Sequence, residues 1–293
     1  MNNPLKVVRV LGGLGNQMFQ VAYAHWVQQQ HPSFQVFCDT TDFKSYGLHQ
    51  GYLIERVFNH KVNIAEAKEL RMIGADSSSF IFRIRRKLNI PRPYYLEEKE
   101  EERFLFHPDW INNQHQYLDG YWQCHQYVES VKNIKELFQF SAFTDQENLS
   151  LEQTIRGAQH SVSMHVRRGD YVTHPKYNNI CTLDYYQNAL NALSSRLGPL
   201  TVFIFSDDIE WCKAHFQGEQ FITVSHNRGI HSYRDLQLIS LCQHHIMANS
   251  SFSWWGAYLG KENGLVMGPE KWKNNMAGIR DLFPKHWIKI SGG

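Results

Sequence analysis

The sequence predicts an α/β protein built from two Rossmann-like halves, on three observations. Strand and helix patterns alternate at the start of the chain and again after residue 160, which calls for parallel sheets. The stretch "TVFIFS" (201–206) is almost continuously apolar, as in a parallel strand covered on both faces. The chain has 293 residues, of which 42% are hydrophobic, so two domains with real cores are affordable.

Taken in order, "KVVRVLGG" (6–13) reads as a strand ending in a glycine turn. "NQMFQVAYAHWVQQQ" (16–30) reads as a helix, with Phe19, Ala22, Tyr23 and Trp26 at helical spacing. "FQVFCDT" (34–40) is the second strand and completes a β-α-β unit. Residues 41–150 are less regular. "IAEAKELRMI" is helical, "FRIRRKLNIPRPYY" is basic and broken by prolines, and "YLDGYWQCHQYVESVKNIKELFQF" is a strand or turn feeding a helix.

From residue 160 the pattern sharpens. In "SVSMHV" (161–166), Val162, Met164 and Val166 alternate with Ser161, Ser163 and His165. "TLDYYQNALNALSSRL" is an amphipathic helix with Thr182 as its cap. "DDIEWCKAHF" starts a helix with two acids in its first turn, which suits the helix dipole. "FITVS" is a strand, "RDLQLISLC" a helix, "HHIMA" a strand, "NSSFSWWGAYLG" a loop entering a helix, and "GLVMGP" the last strand. The joint is placed near 140–155, giving halves of residues 1–150 and 151–293.

Net charge is +2, from 30 basic and 28 acidic residues, which argues against a nucleic-acid binder. The five cysteines are scattered and form no C-x-x-C pair, so neither a disulfide scaffold nor a zinc ribbon is expected, and a reducing compartment is the default. The N-terminus lacks a signal-peptide pattern, and no run approaches ~18 apolar residues. A cytoplasmic protein is therefore expected. Sixteen histidines and 14% aromatics suit a protein that grips polar rings, although aromatics are more often core.

Ligands of open parallel sheets bind beyond the carboxyl ends of the strands. Four polar clusters fall at such ends: "GGLGNQ", "HVRRGD", "FSDD" and "NSSFS". The first resembles a dinucleotide loop, with Gly13 and Gly15 in place and Asp39 at a ribose-reading distance, but Met18 occupies the third glycine position. A tight turn needing positive φ also explains the glycines, but it leaves the amides Asn16 and Gln17 at the loop mouth unexplained. In the second cluster, Arg167 and Arg168 could meet a phosphate as planar forks, or could pair with Asp170 to lock the loop. His165 is a satisfied core histidine or a ligand donor.

In the third cluster, Ser206 and Asp207 face the ligand side of the strand end, and Asp207-Asp208 read better as first-turn acids than as metal ligands. In the fourth, Asn249, Ser250, Ser251 and Ser253 put hydroxyls and N–H groups at a helix start, an anion site unless one serine is only a cap. Asp235 opens a helix. It is either a cap or an acceptor for the two adjacent N–H donors of guanine. Trp254 and Trp255 read as core.

The stretches "GGLGNQMFQVAYA", "HVRRGDY", "FSDD" and "CQHHIMANSSFSWWGAYL" resemble the α-1,2-fucosyltransferases of glycosyltransferase family 11, in that family's order. The resemblance implies a GT-B architecture, with two Rossmann-like halves facing across a cleft. It implies GDP-β-L-fucose as donor, inverting transfer to the 2-hydroxyl of a galactoside, and no metal or other cofactor. Another linkage or donor within the same architecture is the nearest alternative. An NAD-dependent oxidoreductase is the alternative from a different class.

The resemblance also distributes roles. Arg167 matches the arginine expected on the β-phosphate, with Arg168 in support. Ser250 and Ser251 would contact the phosphates, and Asp235, with His165, would read guanine. Asn16 matches an asparagine important for catalysis in a similar loop. The sequence itself does not identify a base for the acceptor proton: Asp170 is a candidate, equally readable as a loop lock, and a late proton transfer to the departing phosphate or to water needs no dedicated residue. The C-terminal half would bind the nucleotide and the N-terminal half the acceptor, a galactose-terminated oligosaccharide. If that acceptor is lipid-linked, the basic "RIRRK" (83–87) becomes a membrane-surface patch or, equally, a solvated face.

Overall fold

The computed structural model describes residues 3–44, 50–76, 84, 87, 88, 90, 92–276 and 278–292. It divides into two compact units: 1–139 with Arg280–Leu282, and 140–279 with 283–293. The division falls at 139/140. A cut at 150 would sever the helix Gln146–Gly157, whose cap Asp145 accepts a hydrogen bond from Asn148 N. Of the basic stretch 83–87, only Ile84 and Lys87 lie within the described residues.

The first unit is a four-stranded, all-parallel sheet in the order β2-β1-β4-β3, made of β1 (Leu5–Arg9), β2 (Gln35–Asp39), β3 (Tyr95–Glu97) and β4 (Gln116–Asp119). One face buries Leu5, Val7 and Tyr117 against Ala65, Leu70 and Ile73. The helix Leu14–Gln30 buries Phe19, Ala22, Tyr23 and Trp26, as their spacing requires. Tyr23 stacks on Trp122 with centroids 4.1 Å apart, tying this helix to the segment after β4.

The second unit is a six-stranded, all-parallel sheet in the order β10-β9-β8-β5-β6-β7. Its strands are β5 (Ser161–Val166), β6 (Thr201–Ser206), β7 (Phe221–Val224), β8 (His244–Ile246), β9 (Val266–Pro269) and β10 (Ile288–Ile290). The chain runs outward through β5, β6 and β7, then returns to lay β8 on the other side of β5. This is the doubly wound Rossmann order, and β5/β8 is its switch point.

Both faces are covered. Val162, Met164 and Val166 pack against Tyr185, Tyr186 and Leu193, while Phe203 and Phe205 pack against Leu238 and Ile239 on the other face. The alternation in "SVSMHV" therefore does not mark a wet face. Ser161 and Ser163 are buried, and Ser163 Oγ is 2.8 Å from His245 Nδ1. The buried serines are satisfied by hydrogen bonds, to Gln243 N for Ser161 and to His245 for Ser163, which period-2 reading cannot distinguish from solvation.

Two strands depart from the sequence reading. β9 is not the last strand, because "IKI" adds β10 in parallel register. β3 lies in the region judged irregular. Each spans three residues, too short to show a period. Among the described residues, no helix is long and apolar enough to cross a membrane.

Candidate functional site

At the carboxyl end of β5 the chain leaves the sheet into Arg167 and Arg168. Arg167 Nη2 lies 2.6 Å from Asp170 Oδ1, and Nη1 lies 2.8 Å from Asp207 Oδ2. Its guanidinium also sits 5.4 Å from the Tyr171 ring centroid. Arg168 Nε is 3.0 Å from Asp208 Oδ2, and its guanidinium stands over Trp211 at 4.2 Å. The backbone N–H of Arg168 donates to Asp207 Oδ1 at 2.8 Å.

Gly169 makes this crowding possible, since a Cβ there would stand 2.6 Å from Asp207 Oδ2. The Arg167 side chain is 33% exposed and Asp170 is 63% exposed. Ion pairs this wet are each worth about 0–1 kcal/mol, so they orient the arginine yet yield readily to a doubly charged anion. The pairing of Arg167 with Asp170 is present. Asp170 thus ties the loop to Arg167 through a partly exposed ion pair.

Asp208 caps the helix Ile209–His215 by accepting from Trp211 N. Ser206 Oγ accepts from Asp208 N at 2.9 Å. Ser206 therefore shapes the turn, while remaining partly exposed. Among the described residues, no group of three potential ligands is placed to hold a metal.

Across the switch point, His165 Nδ1 is 2.5 Å from Ser253 Oγ. That oxygen also accepts from Ala248 N at 3.1 Å. Burial, reinforced by the Arg167 charge, lowers the His165 pKa to about 4, so the ring is neutral at neutral pH. Ser253 is buried and fully used in aiming His165, which corrects its assignment to the substrate. Asn249 is likewise buried, donating through Nδ2 to Trp272 O at 3.1 Å and accepting from Cys181 Sγ at 3.5 Å. It holds the loop after β8 and does not face a ligand.

Ser250 stands at the N-cap of the helix Ser251–Tyr258 but makes no side-chain cap hydrogen bond. Simple capping is thus excluded for Ser250. Its hydroxyl, half-buried like that of Ser251, lies beside helix N–H groups that bear partial positive charge. Trp254 and Trp255 are fully buried, as read.

Asp235 is the third residue of the helix Tyr233–Leu241, and the N-cap is Ser232, so Asp235 is not the cap. Burial raises its pKa to about 7, against the pull of a 2.9 Å hydrogen bond from Asn227 Nδ2. Asn227 in turn exchanges two 3.0 Å amide hydrogen bonds with Asn148. The sequence reading did not single out either asparagine. Asn227 follows the carboxyl end of β7 in "SHNR", so the strand-end rule could have found it. Asn148 comes from a helix preceding β5, and nothing local marks it.

In the first unit, the turn after β1 places positive φ on Gly12 (+83°). Gly13 is an extended N-cap with φ −74°, and Gly15 is a buried helical residue. Neither Gly13 nor Gly15 supplies the positive φ. Asn16 Oδ1 accepts from Gln123 Nε2 at 2.9 Å, spanning the β1/β4 switch point of that sheet. Gln17 is fully buried. It donates to Gly12 O and Gly51 O, both at 2.9 Å, and accepts from Leu53 N at 2.8 Å. It ties loops together, which corrects its placement at the loop mouth. Met18 is fully buried where a dinucleotide loop needs its third glycine.

Two doubly wound, all-parallel sheets are the units from which the GT-B fold is built. NodZ α-1,6-fucosyltransferase, solved after soaking with GDP-fucose, has a similar fold: TM-score 0.52 at 16% identity, covering 88% of this chain and 93% of NodZ. The α-1,2-colitosyltransferase of Escherichia coli is 33% identical over 297 residues, 97% of this chain and 98% of that protein. Galactoside α-(1,2)-fucosyltransferase 2 of Pongo pygmaeus is 27% identical over 178 residues, 57% of this chain and 50% of that protein. The family described as Glycosyl transferase family 11 matches residues 6–291, and the chain belongs to that family.

Proposed function

We propose that the protein transfers L-fucose, with inversion, from GDP-β-L-fucose to the 2-hydroxyl of a terminal galactoside. The observation that carries this reading is the Arg167 guanidinium. It sits at the carboxyl end of β5, paired with two partly exposed carboxylates, in a unit whose switch point also presents Ser250 and Ser251. Membership of family 11, and the α-1,2 linkages in the names of the two relatives above, support the linkage.

In this reading the diphosphate displaces Asp170 and Asp207 from Arg167. As the bond from the sugar C1 to the phosphate oxygen breaks, negative charge grows on the leaving oxygen. Arg167, Ser250, Ser251 and the helix N–H groups stabilise that charge more in the transition state than in the ground state, which is what accelerates the step. The acceptor oxygen forms the new bond to C1, and its proton leaves to the departing diphosphate or to water. Arg168 supports Asp208 and the loop, and His165 is aimed by Ser253.

Asp235 presents a carboxylate to the guanine N–H groups. Asn16, fixed by Gln123, serves the first unit's side of the chemistry, the acceptor side. Arginine in place of a metal neutralises the diphosphate, so no cofactor is invoked. The acceptor is a galactose-terminated oligosaccharide, and the protein works in the cytoplasm, with lipid-linked surface glycan as one source of acceptor.

A transfer assay with GDP-fucose and galactose-terminated acceptors, followed by linkage determination, tests this. Turnover of a different nucleotide sugar with none of GDP-fucose would refute it. A second reading, transfer of colitose with the same linkage, is favoured by the 33% identity to the colitosyltransferase. Comparing kcat/KM for the two donors decides between them.

A further inference from the structure

Asp235 is the end of a short chain of hydrogen-bonded amides. Asn227 Nδ2 has two protons. One goes to Asp235 Oδ1 at 2.9 Å and the other to Asn148 Oδ1 at 3.0 Å. Asn148 Nδ2 returns a hydrogen bond to Asn227 Oδ1 at 3.0 Å. His226 Nε2 lies 2.9 Å from Asn148 Oδ1, so that nitrogen carries the ring proton. Asn148 itself is buried, and its backbone N–H is held by the cap residue Asp145 at 2.8 Å.

These contacts leave one orientation for each amide. Turning over the Asn227 amide would put its oxygen against the Asp235 carboxylate and break both reciprocal bonds. The carboxyl group is therefore held at Oδ1 by a donor that follows β7, and that donor is held in turn by the helix Gln146–Gly157. Oδ1 keeps a second lone pair, and Oδ2 has no hydrogen bond among the described residues.

We infer that Asn227, locked by Asn148, is a positioning residue for base recognition: it holds Asp235 so that both carboxylate oxygens meet two adjacent N–H donors, the pattern of guanine. The inference rests on the reading of Asp235 as the guanine acceptor. Hypoxanthine offers only one of the two donors. Adenine offers an acceptor at N1 and is repelled. Discrimination between GDP and IDP thus reports the carboxylate's orientation, whereas loss of fold would weaken both alike.

The test is calorimetric titration of GDP and IDP into wild type, Asn227→Ala, Asn148→Ala and Asp235→Asn, with donor kinetics and melting midpoints on the same preparations. Leaving a buried partner unpaired typically changes affinity by about tenfold or more. Asn227→Ala should weaken GDP by about that factor, lower the GDP-to-IDP ratio, and raise donor KM with kcat within about twofold. Asn148→Ala should act in the same direction with Asn227 still present, and it carries the comparison if Asn227→Ala does not fold. A wild-type GDP-to-IDP ratio in Asn227→Ala or, failing its folding, in Asn148→Ala, while Asp235→Asn loses GDP affinity, overturns the clamp. Unchanged GDP affinity in Asp235→Asn overturns the guanine reading itself.

Discussion

Arg167 Nη1 lies 2.8 Å from Asp207 Oδ2, a pairing between the end of β5 and the end of β6 that leaves the guanidinium one-third exposed. A second carboxylate, Asp170, holds the other terminal nitrogen. Two acids placed around one arginine mimic the charge of a phosphate group. In the proposed reaction these two carboxylates are the groups that a phosphate dianion would replace on Arg167.

Replacing Arg167 with alanine should reduce kcat/KM by about 10²-fold or more, the usual cost of losing one charge-stabilising donor. The melting midpoint should stay near wild type, because exposed ion pairs contribute little. Steady-state kinetics beside a thermal melt give the answer. Near-normal turnover would make the arginine purely structural.

Asp170→Asn separates the lock from the base. As a lock, its loss frees Arg167 from one competitor, so GDP should bind no more weakly than in wild type and kcat should stay within about tenfold. A general base contributes about 10²–10⁴-fold, so a loss of that size would instead place the proton transfer on Asp170. Calorimetry with GDP and the kcat ratio read the two alternatives separately.

The donor KM should depend on pH through Asp235. Its carboxyl pKa is raised to about 7 by burial, so below that pH the free protein carries it protonated. The proton must leave before both oxygens can accept N–H donors. Donor KM should therefore be flat above pH 7 and rise by up to about tenfold per unit below it. A profile of kcat/KM from pH 5.5 to 8.5 shows this, and Asp235→Asn should remove the inflection.

Stability should fall in mild acid. His165 and His245 are held neutral, with pKa values lowered to about 4 and about 3, chiefly by burial. In the unfolded chain they protonate below about 6.5. Between those values the unfolded state binds more protons, so stability is full above pH 6.5 and is lost as pH falls towards 4. Urea midpoints at several pH values should decline through this window, less steeply for His165→Gln.

Activity should survive EDTA. Asp207 and Asp208 are engaged by Arg167 and Arg168, and the cations already supply the positive charge. Loss of activity in EDTA that Mn²⁺ restores would recast the two aspartates as metal ligands.

The four strand-end clusters were legible because glycines, adjacent arginines and serine runs break the apolar pattern abruptly at those points. Which members face outward was not. Gln17, Asn249 and Ser253 belong to the clusters by position but are turned inward and fully bonded. A side chain's direction in a loop follows from the partners that distant segments bring, such as Leu53 for Gln17 and Trp272 for Asn249. β3 and β10 escaped notice because strands of three residues owe their existence to the neighbour they pair with.

The sequence alone determined the α/β class, a division into two units and the strand ends at which the polar clusters fall. Those features follow from hydrophobic period and turn chemistry, which act over a few residues. Only the tertiary structure decided that Asp207 faces Arg167, that Ser253 aims His165, and that Asn148 reaches Asn227 to hold Asp235. These pairs lie 40, 88 and 79 residues apart. Their contacts exist because parallel strands bring far-separated loops to one edge of a sheet.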